Sequence, residues 1–126
     1  MTECDQIKFN ILKKSTDSIT TAMPVQSEIM DSYGAVHAKA VLWFADTTAA
    51  NLTHGGLTGQ PQLISLQSGL VGDKSIKSFY ASAEYENRKG LIHIIRTKVT
   101  DETGRLIADV TTNYKLNETI LSRYCN

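Results

Sequence analysis

The spacing of apolar residues changes character along the chain, and each change marks an element. Over residues 2–15, Ile7, Ile11 and Leu12 recur at helical spacing, and Thr2 with Asp5 resembles a capping box with Asp in place of Glu. This predicts an amphipathic helix over about 2–15. Over 18–29, Ile19, Thr20, Thr21, Val25 and Ile29 predict a strand, with Pro24 confining part of it to an edge or a bend. Asp31-Ser32-Tyr33-Gly34 marks a turn. Residues 35–53 predict a helix of about five turns, whose middle, Ala40-Val41-Leu42-Trp43-Phe44-Ala45, is apolar on every side. After a loop from His54 to Gly59, strands are predicted across 62–116: 62–71, 78–85, 91–100 and 106–116, with turns at 86–90 and 101–104. Leu91, His93, Ile95, Thr97 and Val99 share one face of the third of these strands. Leu106, Ala108, Val110, Thr112 and Tyr114 share one face of the fourth, which turns Asp109 toward solvent. Residues 118–125 suggest a last turn of helix.

A helix apolar on all sides must be wrapped, and in 126 residues only a curved sheet can do it. The expected fold is therefore α+β: a single hotdog domain over 1–126, an antiparallel curved sheet wrapped around a long central helix. The apolar share of 41% supports one core, and two prolines with eight glycines argue against a linker-rich chain. Thirteen basic and thirteen acidic side chains cancel, which leaves no footprint for nucleic acid or an anionic membrane and favours self-association. Cys4 and Cys125 read as unpaired thiols in a reducing compartment, or as a disulfide joining the termini. No Cys/His cluster has metal-ligand spacing, so no metal site is expected. Residues 1–10 are too polar for a secretory h-region, and Asp46 interrupts the longest apolar run, so a cytoplasmic location is expected.

Candidate chemistry lies on the central helix. Asp46 is a carboxylate in apolar surroundings, where burial raises the pKa and suits a base or nucleophile. The alternative is a carboxylate that meets solvent or bonds Thr47 and Thr48. At the other end, Gly34-Ala35-Val36-His37-Ala38-Lys39 begins the helix, and first-turn amides without internal partners can serve as an oxyanion hole. His37 either orients substrate or caps the turn. Ala38 and Asp46 are eight residues apart, about 12 Å along one axis, so one carbonyl cannot touch both. They meet only if a second copy of the helix runs antiparallel across a two-fold axis.

With these residues in place, the chain resembles the phenylacetate-degradation-type branch of hotdog acyl-CoA thioesterases. The resemblance rests on Gly34-Ala35-Val36-His37, on Leu42-Trp43-Phe44-Ala45-Asp46-Thr47, with His37 nine positions before Asp46, and on the hairpin from Val99 to Ala108. Its register covers residues 20–116. It implies hydrolysis of an acyl-CoA substrate without metal or other cofactor, in a homodimer or homotetramer. It also implies Asp46 as base or nucleophile and the Ala38 amide as oxyanion donor. Asp31 matches the position of an amide that places the attacking water, and Ser65 is the match for an acyl-pocket residue. Lys39 would contact a CoA phosphate.

The chain departs from this pattern in three places. His37-Ala38-Lys39 replaces His-Gly-Gly, though an alanine still offers its N–H. Asp31 replaces Asn or Gln, and an ionised carboxylate cannot donate. Residues 67–77 fit the family strands poorly. His54-Gly55-Gly56 copies the tripeptide but reads as a loop leaving the helix. His93 reads as a satisfied core or interface histidine, and Trp43 and Phe44 as packing. The second reading is a non-catalytic hotdog module that binds an acyl group or scaffolds an oligomer, with Lys39 ion-paired to Asp31 or Asp46. A hotdog dehydratase ranks third, since its Asp/His helix motif has no match.

Overall fold

The computed structural model of the chain describes residues 7–53, 58–88 and 90–115. The Thr2–Asp5 capping pattern, Cys4, Cys125, His54-Gly55-Gly56 and the turn expected over 118–125 lie outside the described residues. Six strands and one long helix dominate: β1 (Asn10–Lys14), β2 (Ser18–Pro24), α1 (Ala38–Thr53), β3 (Thr58–Leu66), the single turn α2 (Ser68–Val71), β4 (Ser78–Asn87), β5 (Ile92–Asp101) and β6 (Leu106–Lys115). The strands form one antiparallel sheet in the order β1-β2-β4-β5-β6-β3, with β1 and β3 at its edges. No helix among the described residues is long and apolar enough to cross a membrane.

Helix α1 lies across one face of this sheet. Val41, Phe44, Ala45, Ala49 and Leu52 are each 1% exposed or less. Val41, Phe44 and Ala45 join Phe79, Ala81, Val99 and Ala108 in the larger core cluster. Ala49 and Leu52 join Ile19, Ala83, Ile95 and Tyr114 in a second. The alanines on both surfaces let helix and sheet approach closely.

Over its described part, residues 7–15, the amino-terminal helix expected over 2–15 is not formed. Residues 10–14 are β1, paired with β2 through Ile11↔Thr21 and Lys14↔Ile19. Ile7 and Ile11 are four apart, a spacing that keeps one face in a strand as well as in a helix. Phe9 lies with Ile7 in the segment just before β1, and Ile11 within β1 is 48% exposed. Ile7 and Phe9 pack on the core, and the Phe9 ring stands edge-on to Trp43 at 6.0 Å and to Phe44 at 6.3 Å.

Other boundaries shift for local reasons. β2 ends at Pro24, which has no N–H to donate, and Ser27–Ile29 is a 3-10 turn rather than strand. The helix starts at Ala38, not 35, because a bridge between Met30 and Val36 keeps the chain extended up to it. The strand expected over 62–71 begins at Thr58 and ends at Leu66, and 68–71 turns into α2. On β6, a register shift near Thr100 leaves Leu106 39% exposed and buries Ile107. Asp109 does lie on the face away from α1, but it is 5% exposed rather than solvated. Arg96 covers it with a bidentate pair, Nε at 3.0 Å and Nη2 at 2.6 Å.

At the β5–β6 hairpin Asp101 is buried. Burial alone would push its carboxyl up, but the bonds from Thr103 and Arg105 outweigh it and hold the pKa well below the usual range.

Phe44 is the largest side chain on α1 with no exposure. Phe44→Ala should cost about 3–5 kcal/mol of unfolding free energy, measurable as a lower urea midpoint at unchanged slope.

Candidate functional site

The chain that leads into α1 is held by backbone and by one carboxylate. Oδ1 of Asp31 accepts the N–H of Tyr33 at 2.8 Å and of Ala35 at 3.0 Å. Those two bonds, Ala35 first, hold its pKa below the ordinary carboxylate value. Gly34 takes φ +78° between them, a conformation that side-chain-bearing residues rarely adopt. The N–H of His37 donates to Ile29 O at 2.9 Å, and His37 O accepts from Ala40 at 3.0 Å and Val41 at 3.4 Å. His37 is therefore the residue from which the helix springs, with its side chain exposed. The N–H groups of Ala38 and Lys39 donate to no described acceptor, as first-turn amides do.

Asp46 lies eight residues further along the unbroken helix. It sits beside Leu42 and Ala49, at the border between the buried face and the exposed side that carries Lys39 and Ala50. No hydrogen bond or ion pair to Asp46 is found among the described residues. Burial raises its pKa above the ordinary carboxylate value. Neither Thr47 nor Thr48 serves it: Thr48 donates to Phe44 O at 2.8 Å and shares a 2.8 Å hydroxyl contact with Thr21. Across from Asp46 on the sheet stands Tyr114. Burial pushes the Tyr114 phenol up, and the Asp46 charge pushes it further.

Within one chain the candidate residues divide. His37, Ala38, Lys39 and Asp31 gather at the start of α1, while Asp46 stands on its flank about 12 Å away. Lys39 is exposed and, among the described residues, forms no ion pair with Asp31 or Asp46, which corrects that expectation. Ser65 is elsewhere. It is opposite Asp109 across β3–β6, and that pairing puts it on the sheet face away from α1. Among the described residues, the buried Nδ1 of His93 has no hydrogen-bond partner. Thr97, Thr112 and Tyr114, which sequence reasoning placed only as inward-facing positions, share that condition. Among the described residues no three His, Cys, Asp or Glu side chains come together as a metal-ligand set.

Solved structures with the same arrangement are numerous. A hypothetical thioesterase of Streptococcus pneumoniae, solved with coenzyme A, superposes with a TM-score of 0.72 at 16% identity, over 87% of this chain and 86% of that one. A Streptococcus mutans protein bound to acetyl-CoA gives 0.73 at 14% identity, over 87% and 89%. A thioesterase of Haemophilus influenzae gives 0.71 at 17% identity, over 92% and 83%. The fold is the hotdog fold. No protein-family model matches the chain, and neither does any curated protein. Identities this low carry the hotdog architecture and not the chemistry.

An Asp with a raised pKa stabilises the fold only while protonated. That contribution is present below the ordinary value and lost as pH rises through the folded-state value. Asp46→Asn should therefore unfold at a higher urea concentration than wild type at pH 7, with the gap closing below about pH 4. A variant less stable at pH 7 would show that the carboxylate has a partner.

Proposed function

We propose that the chain is an acyl-CoA thioester hydrolase of the phenylacetate-degradation type, with its site between two copies of the chain. The observation that carries the reading is Asp46, a carboxylate of raised pKa without a described partner, on the flank of a helix whose first amides are also free. A group that costs stability and has no structural partner is a candidate for function. The coenzyme A and acetyl-CoA bound to the two streptococcal neighbours support the substrate class.

The second copy follows from distance and from the edge of the sheet. β3 has a neighbour on one side only, and its Leu63 and Ile64 are 46% and 53% exposed. Pairing two β3 edges about a two-fold axis would lay two α1 helices antiparallel. Asp46 of one copy would then approach the Ala38 amide of the other.

In that arrangement the Asp46 carboxylate takes a proton from water as the oxygen attacks the thioester carbon. The carbonyl oxygen gains the negative charge and is held by the Ala38 N–H. When the C–S bond breaks, Asp46 returns the proton to the leaving sulfur, giving the free acid and CoA thiol. Direct attack by Asp46 on the carbonyl, through an anhydride that water then cleaves, uses the same residues. Lys39, exposed one residue after the amide, is placed to meet a CoA phosphate. His37 acts through its backbone, by fixing where the helix begins.

One observation favours the non-catalytic reading, a module that binds an acyl group. Oδ1 of Asp31, at the position matched to the water-placing amide, accepts the amides of its own turn, and an ionised carboxylate has no proton to donate. The test is thiol release from short, long and aromatic acyl-CoAs by wild type, Asp46→Asn and Ala38→Pro. Proline is tolerated at a first helical position, so Ala38→Pro removes the N–H with little cost to the fold. Asp46→Asn should abolish turnover and Ala38→Pro should lower kcat about 100- to 1,000-fold, with the oligomer intact by light scattering in both. Full activity in Asp46→Asn would remove the carboxylate from the reaction, and no turnover by wild type would leave the binding module.

A further inference from the structure

Beside the start of α1, the turn over residues 72–76 lies against the loop that the Met30–Val36 bridge closes. Between the two is a pocket of about 220 Å³. Val25, Met30, Val36 and Ile76 give it apolar walls, and Gly34, Gly72 and Lys74 form an exposed rim. Pockets that enclose a whole small ligand start at about 300 Å³, so this one fits part of a longer molecule that continues into solvent.

The walls are set without a ligand. The Val25 N–H donates to Lys77 O at 2.9 Å, which ties the turn to the end of β2. Asp73 accepts from Ser75 N at 2.9 Å and from Nη2 of Arg105 at 3.2 Å. Oε2 of Glu102 accepts from the N–H groups of Lys77 at 2.8 Å and Ser78 at 3.1 Å. Gly34 needs its left-handed φ, but Gly72 has φ −84°, which other residues adopt, and a Cβ there would meet nothing within 4 Å. Neither backbone nor packing calls for a glycine at 72, and its effect is to keep the mouth of the pocket wide.

Lys74 forms no ion pair among the described residues. The carboxylates near it are engaged. Asp73 is held by Arg105 and Ser75, and Asp31 by the amides of Ala35 and Tyr33, which lower its pKa together with the charges of His37 and Lys74. An apolar hollow with an unpaired cation at its mouth complements a short branched alkyl group next to an anion. The CoA arm has that pair, because the geminal methyls of its pantoate unit adjoin the diphosphate, whereas a plain acyl tail offers Lys74 nothing. Gly34 and Val36 are four and two residues before Ala38, at most about 14 Å from its amide. The pantoate unit is about eleven bonds from the thioester carbon, a reach of up to about 14 Å.

We infer that this pocket holds the pantoate end of the CoA arm, with its methyls against Val25, Met30 and Val36 and its diphosphate on Lys74. The inference rests on the acyl-CoA reading for the identity of the ligand, and adds the path of the arm from the Ala38 amide to the 72–76 turn. CoA also carries a separate ribose phosphate, so Lys74 and Lys39 need not share one partner.

The test takes one acyl group as its ester with CoA, with pantetheine, which lacks the phosphates, and with N-acetylcysteamine, which lacks the pantoate as well. Wild-type kcat/KM should fall about tenfold or more at each truncation, mainly through KM. In Lys74→Ala the step from CoA to pantetheine should shrink to a ratio of about one, and Lys74→Arg should restore it. In Gly72→Leu, whose side chain enters the pocket, the step from pantetheine to N-acetylcysteamine should shrink in the same way. Gly72→Leu should melt no lower than wild type, since its backbone and surroundings admit a side chain. Lys13→Ala, which removes a cation from the β1 edge, should keep both steps. Equal wild-type kcat/KM for the three esters, or either step surviving in the variant aimed at it, would overturn the inference. Should wild type hydrolyse none of them, the enzyme reading falls on its own, and calorimetric binding of CoA decides the pocket. Binding weakened about tenfold or more in Lys74→Ala supports it, and equal or absent binding overturns it.

Discussion

The concave face of the sheet has to cover a helix that is apolar around most of its circumference, and the cover has two parts. Strands β2, β4, β5 and β6 take the side that carries Val41, Phe44, Ala45, Thr48 and Leu52. The segment before β1 reaches over the opposite shoulder, where Phe9 meets Trp43 and Phe44. What remains is the flank with Leu42 and Asp46, both partly exposed. A carboxylate can persist on this helix only where the apolar cover stops, so the packing decides where Asp46 stands before any chemistry is considered.

Several polar groups among the described residues are closely matched. Arg96 closes over Asp109, Asp101 is enclosed by its own hairpin, and Thr48 bonds both Thr21 and its own helix. The unmatched atoms are not scattered. They lie on the two strands under the second half of α1. Stability is thus held at the outer face and the hairpin, and given up in one place. A fold with so little margin to spare tolerates such a concession where something else depends on it.

Helix α1 was readable because six consecutive apolar residues leave few other outcomes, and the spacing of Ala38 and Asp46 followed from it. Its start was not readable, because a side chain, Asp31, and a left-handed residue, Gly34, hold the preceding turn in place of helix. For residues 7–15 the sequence pattern is ambiguous, because the spacing of four between Ile7 and Ile11 satisfies two periods at once. Ser65 shows how little is needed to lose a site residue. One irregularity between Leu63 and Ser65 is enough to exchange the faces of a strand. Alternation gives the inward positions from His93 to Val99 and from Ala108 to Tyr114, though not Leu91 or Leu106, which are exposed; whether a hydroxyl finds a partner depends on strands and a helix brought together from distant parts of the chain.

The two edges of the sheet differ in a way that bears on solubility. β1 is short, irregular in register and carries Lys13 and Lys14, all features that discourage a stray strand from adding to it. β3 has nine residues without a charge among them, in a protein whose charges sum to zero. Repulsion between molecules therefore gives this edge little protection. In the proposed pairing of two copies that edge is occupied, and a substitution that frees β3 would then put the protein at risk of precipitation before it put the fold at risk of melting.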